Sequence, residues 1–446
     1  MTAPRRASLL AVALALALPA ACEATGDGRG SSGGTPETAP TIVAGGSVTF
    51  GVYGEPATLD PYSPVASDLT YALARPLYRS LYTFTPDGEA VPDLVADLDV
   101  SGEVATIGLA SARWSDGRAI TSRDVAATIA RARPPSGLAR IDTVSRRGPR
   151  RVVVSGRVVD WPETLARISF VLPANEDRSV YSGPFELRSR VPGLQMVLTP
   201  NPGADEPPHL DRVVVRFTEG LEFLIGLLED GRLDAGWLPS SVNLAQRLDE
   251  MELQHAAALG WERIFLDLSG ADLAPRDSKK IARVLDRAQI QTGFIRDAGR
   301  ISDTLHPEPG VSGTDGPYRR LFSNDPGEKG PALQLSAPIG DELLELIQRL
   351  VQVQLDSSGF DVELVNVDAR RFYGEWAQDD PVEGAFRRAA GAPGWRPGRA
   401  VDLGLLPLFH VETALAWRDP VQGIEVNPTI EGPLWNAETW HLTAEP

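Results

Sequence analysis

The chain has 446 residues, enough for two or three domains with cores of their own, and its 43 basic and 60 acidic residues leave a formal charge of −17 at pH 7. A chain this acidic has no general attraction for nucleic acid or anionic lipid, and it contains no Lys/Arg-rich run with interleaved aromatics. Cys22 is the single cysteine, which excludes an intrachain disulfide.

Residues 1–21 read as a secretory signal: Arg5 and Arg6, an apolar run from Leu9 to Leu18, then Pro19-Ala20-Ala21. The run is too short for a permanent membrane helix, and no later stretch approaches the roughly eighteen apolar residues that one needs. Cys22 follows directly, at the position where bacterial lipoproteins are cut and acylated, although Pro19 stands where Leu is usual. The alternative is an ordinary cleaved signal with an incidental cysteine. Residues 22–45 are rich in Gly, Ser, Thr and Pro and form a flexible tether. Gly28-Arg29-Gly30-Ser31-Ser32-Gly33 satisfies a dinucleotide fingerprint there, but no strand precedes it and no amphipathic helix follows.

The folded part is expected to open with a strand at Gly45–Val52 and a turn at Glu55–Pro61, with Asp68 capping a helix toward Leu81 that Pro76 kinks. Strands are expected at Val104–Leu109 and Val152–Val154. Between them Asp116-Gly117 forms a turn because Gly accepts positive φ. Thr121 caps a helix that runs to about Ala132, and Asp124 faces back toward the open amides of its first turn. Further strands are expected at Gly193–Thr199 and Asp211–Phe217. Leu221, Leu224, Ile225 and Leu228 mark an amphipathic helix with Thr218 near its start and Gly231 past its end, and Leu233–Trp237 is the next strand. This strand, helix and strand form a right-handed crossover between parallel strands. Arg263–Leu268 is a strand, and Asp277 caps a helix that contains Asp286-Arg287. Leu333–Ser336, a helix from Asp341 to Leu355 stopped by Gly359, and the alternating Phe360, Val362 and Leu364 form another such unit.

Several of these segments carry a resemblance. Trp114-Ser115-Asp116-Gly117 with Thr121 and Asp124-Val125 is similar to the most recognisable segment of the bacterial extracellular solute-binding proteins of family 5, the oligopeptide, dipeptide and nickel class. Gly45-Gly46 with Leu59-Asp60-Pro61, Ser182–Leu187 with Phe185 in place of Tyr, Gly231-Arg232-Leu233-Asp234, Asp286-Arg287 and Leu406–Phe409 match other family segments. Asn201-Pro202-Gly203 departs from the family's Asn and aromatic pair. The likeness covers roughly Gly45 to His441, with Trp440 near its end, and only about thirty residues separate Phe372 from Leu405 where relatives carry a longer section.

The resemblance implies an α/β fold of two lobes, periplasmic-binding-protein-like (type II, cluster C-like), with an inserted strand-rich subdomain and a shortened second lobe. The expected boundaries are a first lobe at 46–90, 176–255 and 403–446, an insertion at 91–175 and a second lobe at 256–402. It implies capture of a small solute or short peptide for an ABC permease, outside the cytoplasmic membrane, by a monomer anchored through lipid at Cys22. A degenerate binding protein serving as a sensor and a secreted hydrolase are the alternatives.

No cofactor or metal is expected, because His209, His255, His306, His410 and His441 form no H-x-x-x-H or H-E-x-x-H pair. Neither a Walker loop nor a G-x-S-x-G elbow occurs, so no catalytic residue is assigned. By position in the family's cleft, the resemblance implies ligand contacts from Val65 and Ser67, from Trp237, Leu238 and Ser240, and from Trp261 and Phe265. Phe265 is expected to be core. Asp380 lies in a stretch with Trp376 that resembles the family's element for a ligand amino group, although Trp395 competes for the same place.

Overall fold

The structure, a computed structural model, describes residues 42–43, 45–63, 66–132, 139–168, 170–175, 177–302, 322, 330–368, 384–389 and 404–444. The signal and tether with Cys22, Val65, Asp380 and most of the shortened section of the second lobe lie outside the described residues.

A two-residue strand β1 (Ile42–Val43) precedes β2 (Ser47–Tyr53), whose Val48, Phe50 and Val52 are fully buried. Gly51 is buried between them because a Cβ there would meet Leu224 and Leu233 side chains at 2.5 Å. This central strand is therefore covered on both faces, as parallel strands are. Helix α1 (Asp68–Ala74) follows, and its cap is Ser67 rather than the expected Asp68. Ser67 Oγ accepts from the Thr70 N–H, and Thr70 Oγ1 accepts from the Ser67 N–H at 3.0 Å. A hydroxyl one position earlier thus satisfies the helix's open amides, and Asp68 becomes its first residue.

After the hairpin β3 (Tyr82–Phe84) and β4 (Ala90–Pro92), strands β5 (Val95–Ser101) and β6 (Val104–Leu109) begin a separate sheet. It is completed by β7 (Ala139–Arg146) and β8 (Arg151–Val158) in the order β5-β6-β8-β7. Helices α2 (Ser122–Arg131) and α3 (Trp161–Arg167) accompany it. The turn and cap ahead of α2 form as expected. Gly117 has φ +85° and donates its N–H to the Trp114 carbonyl at 2.8 Å, while Asp124 accepts the Thr121 N–H at 2.9 Å. Trp114 is fully buried in one continuous core that contains Ile107 and Val152 from this sheet and Val48 and Phe50 from β2.

Strands β9 (Phe185–Val191), β10 (Gln195–Pro200) and β11 (Arg212–Thr218) return to the β2 sheet. Helix α4 (Leu221–Glu229) leads to β12 (Ala235–Leu238) and α5 (Leu244–Glu250). Gly220 caps α4, and Thr218, near the helix start as expected, ends β11 and donates its hydroxyl to the Val52 carbonyl at 3.0 Å. Both β11 and β12 run parallel to β2 and lie on opposite sides of it, so the crossover steps over the central strand.

The 14-residue β13 (Gln254–Asp267) leads into α6 (Pro275–Val284) and α7 (Arg287–Ile290). Pro275 opens α6, so Asp277 sits inside its first turn and does not cap it. Leu285 ends the helix in an extended conformation, and Asp286 caps α7 instead of lying within one long helix. After β14 (Gly299–Ile301), β15 (Ala332–Ser336), α8 (Glu342–Ser357, capped by Asp341) and β16 (Asp361–Leu364) form the expected parallel unit, and Gly359 has φ +86°. Strand β17 (Gly384–Ala389) joins β15 to β13.

The 13-residue β18 (Leu405–Trp417) pairs along β13. The sheet path is β16-β15-β17-β13-β18-β12-β2-β11-β10-β9, with β14 also on β18. Two lobes share it, each with its own core: Val48, Phe50 and their partners in the first, and Ile264, Ile347, Phe386 and Phe409 in the second. The chain closes on the first lobe with β19 (Val421–Gln422) and β20 (His441–Thr443), the latter pairing with β1. Trp440 is fully buried, with its ring centroid 5.4 Å from that of Phe50.

Candidate functional site: the cleft at the hinge ribbon

The parallel strands β2, β11 and β12 end at Tyr53, Thr218 and Leu238, so their carboxyl ends share one edge of the first lobe. In open α/β sheets ligands bind outside that edge. Strand β18 links this edge to the second lobe. It lies beside β12 from Ala414 to Trp417 and beside β14 from Phe409 to Val411. Between the two, Glu412 and Thr413 have no strand partner on that edge among the described residues. On its other edge β18 is followed by β13, whose register shifts between Leu259 and Glu262, so that Gly260 and Trp261 bulge at the same level. Bulges bend and twist a strand pair locally. The ribbon therefore changes direction where the lobes part.

The side chains at this level are charged and mostly buried. Glu262 is 8 % exposed and accepts the Ser240 N–H at 3.0 Å. The guanidinium of Arg287 donates to the Ser302 carbonyl at 2.6 Å and lies 3.6 Å from the Phe322 ring centroid. Ser302 Oγ is 2.9 Å from His410 Nε2. Glu412 is half-buried, and burial lifts its carboxyl above the usual carboxylate range; Arg300 opposes that shift and Asp297 adds to it. A half-buried carboxylate beside an unpaired strand edge can receive a cationic group and hydrogen-bond the rest of a small polar solute.

Among the residues expected at the ligand, Ser240 is buried in the loop after β12, and the same loop's Val242 packs on the core of the second lobe. Trp237 is half-buried on β12. Leu238 is fully buried among α4 and α5 side chains. Phe265 is half-buried against the second lobe's core, and Ser67 is exposed and caps α1. The backbone of Trp261 lies in the β13 bulge. Sequence reasoning missed Glu412 and Thr413. The available signal was a Glu-Thr pair that, with His410, interrupts the mostly apolar run of β18.

Among the described residues no group of three or more His, Cys, Asp or Glu is placed to hold a metal, and no helix is long and apolar enough to cross a membrane.

Solved structures resemble the chain over most of its length. The periplasmic binding protein AgaA of A. tumefaciens R10, in complex with agropinic acid, superposes with a TM-score of 0.71 at 18 % identity, over 90 % of this chain and 99 % of that one. The oligopeptide-binding protein AppA of Bacillus subtilis, holding a nonapeptide, gives 0.70 at 15 % identity, over 91 % and 100 %. NikZ of Campylobacter jejuni, with Ni(L-His), gives 0.67 at 15 % identity, over 89 % and 99 %. A comparison with curated protein sequences finds no match. At these identities the structural likeness establishes the two-lobed fold. The family model for the middle region of the bacterial extracellular solute-binding proteins, family 5, matches residues 89–393. The chain belongs to family 5 of the bacterial extracellular solute-binding proteins.

Proposed function

We propose that this chain captures a small, peptide-like solute bearing a protonated amine, outside the cytoplasmic membrane, and delivers it to an ABC permease. The observation that carries the reading is the half-buried carboxylate of Glu412 at the two-residue gap in the edge pairing of β18, where the lobes part. Burial penalises that charge and Arg300 offsets the penalty only in part, so a ligand ammonium can serve as a further counter-ion. The nonapeptide held by AppA, in a protein of the same fold, supports a peptide-like solute. In this reading Trp237, Leu238 and Ser240 from the end of β12 and the loop after it, Trp261 and Phe265 from β13, and Val65, Ser67 and Asp380 contribute the contacts to the solute. Ligand-driven closure of lobe 256–402 onto the lobe formed by 46–90, 176–255 and 403–446, with 91–175 carried as an insertion, presents the loaded form to the permease. Lipid on Cys22 holds the monomer at the membrane.

Calorimetric titration of the purified full chain with a panel of dipeptides and their N-acetylated counterparts tests this. Free dipeptides bind, acetylation weakens binding by about tenfold or more, and Glu412→Gln removes that difference. Equal binding of free and acetylated peptides, or no binding of either, rejects the reading.

A further inference from the structure

Strand β9 begins at Phe185 opposite Pro200, the last residue of β10, and β11 begins at Arg212 opposite Ser47 of β2. The segment before β9 and the connection from β10 to β11 therefore lie at the amino edge of the first-lobe sheet. That edge is about 20 Å, the length of β2, from the carboxyl ends that face the cleft. A pocket of about 350 Å³ opens there. Pro184 and Ala204 give it an apolar wall, and the indole of Trp435 lines it.

Its charges do not balance. Arg75 pairs with Glu431 at 3.1 Å and approaches Asp93 at 3.9 Å, while Arg79 pairs with Asp93 at 2.7 Å and with Asp205 at 2.8 Å. Both lining cations are thereby neutralised within the fold. Two further lining carboxylates, Glu206 and Glu438, have no ion-pair partner among the described residues. Glu438 is half-buried, and burial raises its carboxyl against the opposing pull of its own backbone N–H and of Arg75. The Trp435 indole N–H is bonded to the Glu425 carbonyl at 3.0 Å, which holds the ring in place.

We propose that this pocket is a second binding site, separate from the cleft, for a small organic cation bearing a primary ammonium group. Glu438 and Glu206 supply the counter-charge, and Trp435 supplies apolar area and a π-system for the alkyl-ammonium body. Pro184, Ala204 and Trp435 give the otherwise charged lining an apolar part that the hydrocarbon body of an organic cation can cover and a bare divalent ion cannot use.

The test is calorimetric titration of the full chain with 1,4-diaminobutane, performed in the Glu412→Gln background so that the cleft carboxylate contributes nothing. Saturable binding at one site is expected, with no heat from 1,4-butanediol or MgCl2. Glu438→Gln and, independently, Trp435→Leu each weaken it by about tenfold or more, in variants whose melting shows a folded chain. No saturable heat, equal heat from the diol or from MgCl2, or undiminished binding in both folded variants overturns the proposal.

Discussion

The buried carboxylate of Glu262 accepts the backbone N–H of Ser240 at 3.0 Å, and with that bond β13 fixes the loop that follows β12. A bond of this kind holds first-lobe backbone to the strand that leads into the second lobe. Glu262→Ala leaves a buried N–H without its acceptor, and we expect a loss of about 1–3 kcal/mol in urea unfolding. Glu262→Gln keeps an acceptor oxygen and loses less.

Glu412 behaves in the opposite way. Burial raises its carboxyl, so folding is penalised wherever the group is ionised in the folded state, and the penalty disappears once pH falls below the unfolded carboxyl value. Glu412→Gln therefore melts higher than the parent at about pH 8 and level with it at about pH 3.5. The same substitution weakens amine-bearing solutes in the cleft. Thermal scans across pH and the dipeptide titration read the two effects separately.

Asp60 shows the reverse sign. Burial raises its carboxyl, but the hydrogen bond from Arg131, the Tyr62 N–H and the charges of Arg178 and Arg131 outweigh it and hold the group below its ordinary value. Arg131 and Arg178 reach the same oxygen, at 2.8 and 2.9 Å. The resulting stability is full above the unfolded carboxyl value and is lost as pH falls through the lowered one. Asp60→Asn is thus less stable than the parent at neutral pH, and the gap closes on acidification below about pH 4. Melting temperatures of both chains between neutral and strongly acid pH check this.

Gly117 has φ +85°, and a Cβ built there meets nothing within 4 Å. Gly117→Val therefore costs backbone strain alone, about 1–2 kcal/mol, and lowers the melting temperature without abolishing folding. Gly117→Asn loses less, because Asn tolerates this region of φ. Differential scanning calorimetry of both variants measures the difference.

Local chemistry was legible in the sequence where it was self-contained. The turn at Gly117 and the capping pair Thr121 and Asp124 depend on residues a few places apart, the β15–α8–β16 unit on one contiguous stretch, and each forms as expected. Caps shift where two residues compete for one helix start. Ser67 wins over Asp68, and Pro275 sets the start of α6 before Asp277 can cap it. The ribbon was the larger omission. Only Arg263–Leu268 was expected as strand, whereas β13 reaches back to Gln254, because Ala256, Ala257 and Ala258 carry weak strand preference and extend only through pairing with β18, more than 140 residues away. The candidate site shares that origin. The Glu-Thr pair marks the place in the sequence, but the setting of Glu412 comes from the gap between β12 and β14, which pairing with distant strands creates.

Residues 42–43 and 442–443 are paired with each other, and Trp440 packs against Phe50 in the first lobe's core. The lobe begun first along the chain is thus sealed last, whereas the β15–α8–β16 unit of the other lobe draws on contiguous sequence. The first lobe's core therefore closes only when segments about 390 residues apart meet at Phe50 and Trp440, a long-range closure that the β15–α8–β16 unit does not need.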